Sequence, residues 1–339
     1  MRLAPCEGRH RVRRELSALP RRTDRQRRYV MLLPMTAREQ VIDGVDRARG
    51  ALLGTFVGDA LGMPFEGLRP DVIPVAVEMV EARRGRGTYT DDTQMMIALA
   101  ESLIERGQVD EQHLAGAFLA AYDPGRGYGG GTRQVFALWT AGAPVAAAAG
   151  RLFGGNGSRG NGAAMRIAPV AVCFREDPER LRAEAARSAR VTHRHPVGVD
   201  GAVVQAAAIG AALRDEDVLE AARGAAQTEP LRARLEDVGT VLVDRKDPQQ
   251  VRAQLRSSSD AAESVCAALY SALAHPTFEA AVRFAVRLGG DTDTVAAMAG
   301  AITGARHGAR SIPRPWLEAL EDGERGRGHV EQLAARLAG

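Results

Sequence analysis

The chain has 339 residues, 45% of them hydrophobic and 26% charged, which excludes a disordered or collagen-like chain and is enough to bury a large core. Its three cysteines, Cys6, Cys173 and Cys266, lie far apart without a CxxC pair, so we expect no disulfide framework and a cytoplasmic location. The formal net charge of +3 comes from residues 1–30, which hold ten arginines and three acidic residues, so the rest of the chain is net acidic.

Residues 1–38 are rich in arginine and show no apolar periodicity. We predict that they form a disordered extension, or that translation starts later, at Met31 or Met35. A tail that binds nucleic acid or a membrane surface is the alternative. Arginine supplies every basic residue of the chain except Lys246, so the positive charge reflects a general composition bias and does not favour a nucleic-acid partner.

Residues 39–325 are predicted to form one all-α domain, a single compact multi-helix unit without an internal linker, and residues 326–339 a C-terminal helix or tail. No apolar run approaches the roughly 18 residues of a membrane span, and we expect a monomer without a membrane partner. Near the start of the domain, a glycine at every fourth position makes a smooth stripe on which a second helix can pack closely. The glycines of this stripe are Gly50, Gly54, Gly58 and Gly62.

Helical periodicity predicts further helices beyond the glycine stripe, separated by short breaks that contain Gly, Pro or Asp. Only two segments, 72–79 and 239–243, weakly resemble strands. The predicted helices are 93–106, 111–122, 133–140, 163–172, 178–190, 198–213, 215–225, 230–236, 248–256, 260–274, 277–287 and 294–307.

Two similar acidic clusters lie at the starts of predicted helices, at 90–93 (TDDT) and 289–294 (GGDTDT). A single Asp or Thr at a helix start is usually a cap. Four aspartates in two matching clusters are harder to explain in this way, because adjacent carboxylates repel one another unless a cation neutralises them. Oxygen ligands without His or Cys partners favour Mg²⁺ or Mn²⁺ over zinc, and two such loops that meet would hold one or two ions.

Two glycine-rich loops lie between the acidic clusters along the chain. The loop 127–132 (GYGGGT) runs into a predicted helix, and the loop 155–162 precedes the helix predicted from Ala163. Backbone N–H groups at a helix start bind phosphate well, so either loop is a candidate phosphate site, although such turns are common. Further along, His193 and His195 flank an arginine; such histidines are usually structural, and an imidazole packed on a sugar or base is the alternative.

Taken together, these segments resemble the ADP-ribosylglycohydrolase family, which includes the dinitrogenase reductase-activating glycohydrolases and the ADP-ribosylhydrolases. They occur in the family's order over about residues 50–308, and the pair TDDT and GGDTDT at this spacing is highly specific. The poorest match, 213–258, carries no site motif. The matching segments are GALLGTFVGDALGMPFEG (50–67), GTYTDDTQMMIALAESL (87–103), GYGGGTRQ (127–134), GNGAAMRIAPVAV (160–172), THRHPVGVDGAVVQAAAI (192–209) and AVRLGGDTDTVAAMAGAITGARHG (285–308).

The resemblance implies an all-α fold with a di-metal cleft, in which two Mg²⁺ ions, or Mn²⁺ ions, lie at the base of an ADP-ribose site. Glu66 matches the family's mobile-loop glutamate, and Glu66 and Asp92 are the implied catalytic carboxylates. The implied metal ligands are Thr90, Asp91 and Asp92 on one side and Asp291, Asp293 and Thr294 on the other, with Asp293 as the bridging group. The implied substrate contacts are Gly129, Gly130, Gly131 and Thr132 to the ribose and phosphates, Asn161, Gly162 and Met165 around the phosphates, and His193 beside the ADP-ribose.

The implied reaction is hydrolysis of the glycosidic bond at C1″ of ADP-ribose, which releases ADP-ribose from a protein side chain such as arginine or serine, or from a small conjugate. A carboxylate bound to metal is a poor base, which favours Glu66 as the general base, whereas a loop residue can lie elsewhere without substrate, which favours Asp92. One alternative is an all-α di-metal phosphoester hydrolase, but neither cluster contains a histidine. The other is a non-catalytic ADP-ribose-binding protein, but all six metal positions carry competent ligands.

Overall fold

The computed structural model describes residues 43–339 except Arg83 and Arg245. Our predictions for residues 1–38 lie outside the described residues and stay predictions. The described chain contains sixteen α-helices, several short 3₁₀ turns and no β-strand, with one isolated bridge between Gly160 and Asp260. The predicted all-α fold class is therefore confirmed.

The helices follow one another closely along the chain, and half of them begin after an Asp or Thr whose side chain accepts a hydrogen bond from a backbone N–H of the first turn. In chain order they are α1 Gly44–Gly62, α2 Asp91–Arg106, α3 Glu111–Ala121, α4 Gly130–Thr140, α5 Val145–Ala148, α6 Ala168–Cys173, α7 Pro178–Arg190, α8 Pro196–Leu213, α9 Val218–Ala225, α10 Glu229–Asp244, α11 Pro248–Leu255, α12 Ala261–Ala274, α13 Phe278–Arg287, α14 Thr292–His307, α15 Arg314–Ala319 and α16 Arg327–Ala338.

Helices α1 and α14 form the centre of the fold, and the glycine stripe of α1 is their contact surface. A Cβ atom added to Gly58 would lie 2.1 Å from the carbonyl oxygen of Ala296, closer than any side chain tolerates. At the end of the stripe, the Thr292 hydroxyl donates to the carbonyl of Gly62 at 2.8 Å. The predicted role of the stripe is confirmed, and its packing brings the end of α1 beside the start of α14.

Helix α8 is a second core element and packs against α7, α9, α12 and α14. By length and composition alone it could cross a membrane, which differs from our expectation that no apolar run of this size exists. However, 83% of this segment is buried inside the protein, and the core helix of a soluble protein passes the same test. Helix α16 packs on α1 and α2 and buries Val330 and Leu333.

Two predicted strands were wrong, and one predicted helix begins later than expected. Residues 239–243 belong to α10, where Val238 and Val241 are buried and Val243 is exposed, a spacing that fits a helix face. Residues 72–79 contain no strand, since the chain there is irregular after the 3₁₀ turn Pro70–Val72. The helix predicted over 163–172 begins only at Ala168, because Pro169 fits the first turn of a helix and the glycine-rich chain before it forms a 3₁₀ turn.

Candidate active site

A cavity of about 760 Å³ lies where the first turns of α2, α4 and α14 converge. The site residues predicted from sequence line it, with the exception of Thr90, which borders a smaller adjoining cavity of about 230 Å³. The predicted residues that line the larger cavity are Glu66, Asp91, Asp92, Gly129, Gly130, Gly131, Thr132, Asn161, Gly162, Met165, His193, Asp291, Asp293 and Thr294.

The first acidic cluster is held by a buried carboxylate that sequence reasoning did not select. Thr90 is the N-cap of α2, and its hydroxyl accepts from the Asp92 backbone N–H at 3.3 Å. The Asp59 carboxylate accepts from the backbone N–H groups of Thr90 and Thr93 and, at 2.6 Å, from the Thr93 hydroxyl. Asp59 is fully buried on α1, so it fixes the helix start that carries Asp91 and Asp92.

The second cluster faces the first across the cavity floor. Oxygen atoms of Glu66, Asp291 and Asp293 all lie within 4.8 Å of one another, an arrangement that could hold a metal ion. The Thr294 hydroxyl, in the first turn of α14, lies 3.4 Å from Asp92 Oδ1 and so links the two clusters. The structure thus brings together the acidic residues that the sequence predicted to meet.

Two glycines set the path of the chain into the second cluster. Gly289 and Gly290 have φ of 67° and 78°, in the left-handed region, and a Cβ on Gly290 would lie 2.2 Å from the Ser257 carbonyl oxygen. The backbone N–H of Gly67 donates to the Gly290 carbonyl at 2.7 Å, and the Gly290 N–H donates to the Leu68 carbonyl at 2.9 Å. This reciprocal pair ties the loop that carries Glu66 to the loop that carries Asp291.

The electrostatics of the cluster suit a cation. Burial and the neighbouring Asp59 raise the pKa of Asp91 to about 8. Burial, followed by the nearby carboxylates, also raises the pKa of Asp92 and of Asp293 well above the usual range. Asp92 Oδ2 is buried without a hydrogen-bond partner among the described residues. A divalent cation would supply both the missing partner and the counter-charge, so the residues present fit the implied metal.

The first glycine loop presents a helix start to the cavity. Helix α4 begins at Gly130, and the first N–H groups of a helix have no acceptor within the helix, which leaves them for an anion. Below this loop, the buried Tyr128 hydroxyl donates to Gln94 Oε1 on α2 at 2.7 Å. This hydrogen bond fixes the glycine loop relative to the first acidic cluster.

The second glycine loop differs from our expectation of exposed N–H groups. The Asn161 backbone N–H donates to the Ser259 carbonyl at 3.0 Å and is therefore already paired. The Asn161 side chain instead donates through Nδ2 to Asp291 Oδ2 at 2.8 Å. Asn161 thereby orients a carboxylate of the acidic cluster.

His193 is buried beside this loop and stays neutral. Burial, with the adjacent Arg166 charge, lowers the pKa of His193 to about 3. The fully buried Arg166 donates to the Thr192 hydroxyl at 2.8 Å and to the Gly162 carbonyl at 3.0 Å. Arg166 thus joins the loop at Gly162 to the chain at His193, a role that sequence reasoning missed because a lone arginine in an apolar segment carries no recognisable pattern.

Phe153 is a third residue, after Asp59 and Arg166, that the sequence did not indicate. It lies in a glycine-rich turn with φ of 52°, its residue surface is 62% exposed, and it lines the cavity. Its ring faces Gly131 of the first glycine loop. The sequence feature that could have pointed to it is an aromatic residue directly before Gly154 and Gly155. Its flat, exposed ring at the cavity wall suits stacking with a planar group.

This helical fold with its acidic cleft is that of a family of hydrolases. The model of the ADP-ribosylglycohydrolase family matches residues 40–339. The chain therefore belongs to the ADP-ribosylglycohydrolase family and is an enzyme of this class. The resemblance inferred from the motifs is confirmed.

Individual relatives cover most of the chain. ADP-ribosylhydrolase ARH3 of Mus musculus is 34% identical over 328 residues, which cover 82% of this chain and 88% of that protein. ADP-ribosylarginine hydrolase Tri1 of Pseudomonas putida is 30% identical over 307 residues, which cover 86% of this chain and 78% of that protein. A solved structure described as an ADP-ribosylglycohydrolase-related protein complex superposes with a TM-score of 0.74 at 33% identity and covers 88% of this chain and 99% of that chain.

Proposed function

We propose that this protein is a divalent-cation-dependent hydrolase that releases ADP-ribose from an ADP-ribosylated acceptor by cleaving the bond at C1″. The observation that carries this proposal is the convergence of Glu66, Asp291 and Asp293 at the floor of a cavity whose wall includes the start of α4. Carboxylates with a bound cation suit the hydroxyl groups of a ribose, and a helix start suits a diphosphate. The names of the ARH3 and Tri1 relatives give the same class of substrate.

The remaining walls of the cavity fit the rest of an ADP-ribose. The neutral His193 ring can pack on a sugar or accept a hydrogen bond from it, because its pKa keeps it uncharged at neutral pH. The exposed ring of Phe153 offers a stacking surface to a purine base, an interaction that is worth about 1–3 kcal/mol per base. These contacts would hold the leaving ADP-ribose while its C1″ atom reacts at the acidic floor.

The two acidic clusters would hold the cations. Thr90, Asp91 and Asp92 would bind from α2, and Asp291, Asp293 and Thr294 from the start of α14. Bound Mg²⁺ or Mn²⁺ would keep these carboxylates ionised, orient the ribose hydroxyls and lower the pKa of a water molecule. Asp59 and Asn161 would act through the ligands, since they position the start of α2 and the Asp291 carboxylate.

Glu66 is our candidate for the proton acceptor: it lies close to Asp291 and Asp293 but is not one of the six proposed metal ligands. It lies on an exposed loop at the edge of the cavity, whereas Asp92 is buried and its Oδ1 faces the Thr294 hydroxyl. Asp92 belongs to the first turn of α2 and is better placed to bind a cation than to exchange protons with solvent. A water held near C1″ would give one proton to Glu66 as its oxygen bonds to the oxocarbenium-like centre. The bond between C1″ and the acceptor would break with its electron pair on the acceptor atom, which would take up a proton from Glu66 or from solvent.

The direct test is incubation with Mg²⁺ and two peptides, one with ADP-ribosyl-arginine and one with ADP-ribosyl-serine, followed by chromatography of the products. We expect intact ADP-ribose from at least one peptide, loss of the activity in EDTA, and its return with Mg²⁺ or Mn²⁺. Asp293→Asn should abolish turnover while the thermal transition of the metal-free protein is kept. Release of AMP would indicate a phosphoester hydrolase instead, and binding of ADP-ribose without turnover would indicate a non-catalytic protein.

A further inference from the structure

A second groove, of about 610 Å³, opens beside Glu66, and no residue of the two glycine loops lines it. It shares Glu66, Asp291, Ser258 and Ser259 with the main cavity, so the two spaces meet at the acidic floor. A group bonded to C1″ of a substrate in the main cavity would extend into this groove. The groove therefore lies where an acceptor would lie.

Two arginines one helical turn apart, Arg252 and Arg256, line the groove at the end of α11. Arg252 Nη1 donates to the Leu288 carbonyl at 3.1 Å, and no carboxylate of the described residues lies within 4.0 Å of its guanidinium. Neutral carbonyl partners leave its charge uncompensated. Arg252 thus contributes a full positive charge to one wall.

Arg256 is also incompletely neutralised. Its side chain is 67% exposed, and its nearest carboxylate, Glu263, lies 3.6 Å away. Glu263 is shared, because Arg234 pairs with it at 3.3 Å and the Ser258 hydroxyl donates to it at 2.5 Å. One carboxylate therefore faces two guanidinium groups, so the positive charge at the end of α11 is only partly neutralised by Glu263.

The backbone at Arg256 is unusual. Its φ of 62° lies in the left-handed region, which non-glycine residues rarely adopt. A glycine would relieve this strain but would remove the guanidinium from the rim of the groove.

We propose that this groove is the acceptor subsite and that Arg252 and Arg256 bind the carboxylate of an Asp or Glu next to the modified side chain of a protein acceptor. This inference rests on the proposed function, since it assigns the position of the acceptor from the position of the scissile bond. An acidic peptide fits better than a nucleic acid, because three carboxylates also line the groove and the chain beyond residue 30 is net acidic. A single carboxylate beside the modified side chain can contact the arginines at a distance from the three acidic groups, whereas the many phosphates of a nucleic acid would be repelled by them.

The test compares two ADP-ribosylated peptides that differ only in the residues beside the modified arginine, which are glutamate in one and glutamine in the other. The full chain should have a kcat/KM roughly threefold to fivefold higher for the acidic peptide at about 20 mM salt, and the preference should fade at about 300 mM salt. Arg256→Gln should bring the ratio close to one, and Arg256→Glu should invert it. Arg314→Gln is the matched control, because Arg314 is 87% exposed, lines neither space and should leave the ratio unchanged.

The outcomes separate this inference from the proposed function. Affinities of both peptides for the metal-loaded protein, measured in parallel, report the preference of the groove even if neither peptide is cleaved. Equal kcat/KM values and equal affinities for the two peptides in the unaltered protein would overturn the inference. An Arg256→Gln variant whose kcat/KM falls by the same factor for both peptides would also overturn it. Faster hydrolysis of an ADP-ribosylated oligonucleotide than of the acidic peptide would overturn it in favour of a nucleic-acid acceptor.

Discussion

Gly54 and Gly300 lie in direct backbone contact, and a Cβ atom added to either one would come within 2.1 Å of the carbonyl oxygen of the other. Side-chain carbons do not approach carbonyl oxygens this closely, so α1 and α14 are nearer than any pair of side chains permits. The contact sets the distance between the end of α1, which leads to Glu66, and the start of α14, which carries Asp293.

Gly54→Ala should therefore destabilise the fold despite the higher helix propensity of alanine. We expect a loss of about 1–3 kcal/mol in the free energy of unfolding in urea, because the two backbones must separate. Gly116→Ala is the matched control, since no atom lies within 4 Å of a Cβ at that position of α3. The control should be neutral or stabilising by about 0.4–1 kcal/mol. Similar free energies for the two variants would contradict the close contact.

Asp59→Asn should weaken both the fold and cation binding. Its carboxylate accepts from the Thr90 N–H at both oxygens and from the Thr93 N–H and hydroxyl at Oδ2, whereas an amide would replace one acceptor oxygen with an NH₂ group, so we expect a loss of about 1–3 kcal/mol. Affinity for Mg²⁺ by calorimetry should fall about tenfold to a hundredfold, as it does when a residue that orients metal ligands is replaced.

Asp200→Asn is the control for that experiment. Asp200 likewise accepts from the backbone N–H groups of Gln227 and Thr228 and from the Thr228 hydroxyl, but it lies outside the cavity. Its replacement should cost similar stability and leave the affinity for Mg²⁺ unchanged. An equal fall in Mg²⁺ affinity in both variants would mean that Asp59 has no specific role at the site.

Glu66→Gln should lower kcat by about a hundredfold or more, because the amide keeps the size of the side chain but cannot accept the proton. The affinity for ADP-ribose, measured by calorimetry, should change little, since in the proposed site the helix start at Gly130 and the cations would do most of the binding. If Asp92 is the base and Glu66 only closes the loop, the variant will show a milder loss of kcat and a raised KM. A kcat close to that of the unaltered protein rules out our assignment.

His193→Asn should weaken the dependence of the free energy of unfolding on pH below about 6.5. The folded pKa of His193 is about 3, well below its value of about 6.5 in an unfolded chain, so between these values the unfolded state binds one more proton. Stability from this group is complete above pH 6.5 and is lost as the pH falls towards 3, at up to about 1.4 kcal/mol per pH unit. Urea unfolding at several pH values should give a shallower slope for the variant. Parallel profiles would show that His193 does not stay neutral in the folded protein.

The sequence predicted those parts of the fold and site that repeat a local pattern. The stripe that ends at Gly62 has a period of four, and the clusters at Asp91 and Asp293 repeat the same residue types. Each pattern can therefore be recognised in the sequence without knowledge of the residues that it contacts. Asp59 and Arg166 were missed because a single charged residue in an apolar segment shows nothing of what it contacts. The strand at 239–243 was wrong because three adjacent apolar residues do not distinguish a period of two from one of 3.6.

The contact between α1 and α14 also sets the order in which the site can form during synthesis. Gly62 and Thr292, which join these helices by a hydrogen bond, are 230 residues apart in the chain. At about 5–20 residues per second, a ribosome needs roughly 10 to 50 s to make the intervening segment. Until then the first half of the nascent chain exposes a glycine-lined surface and an acidic pair that have no counterpart. A prematurely terminated chain that lacks α14 contains Glu66 and Asp92 but lacks Asp293, so its acidic site is incomplete.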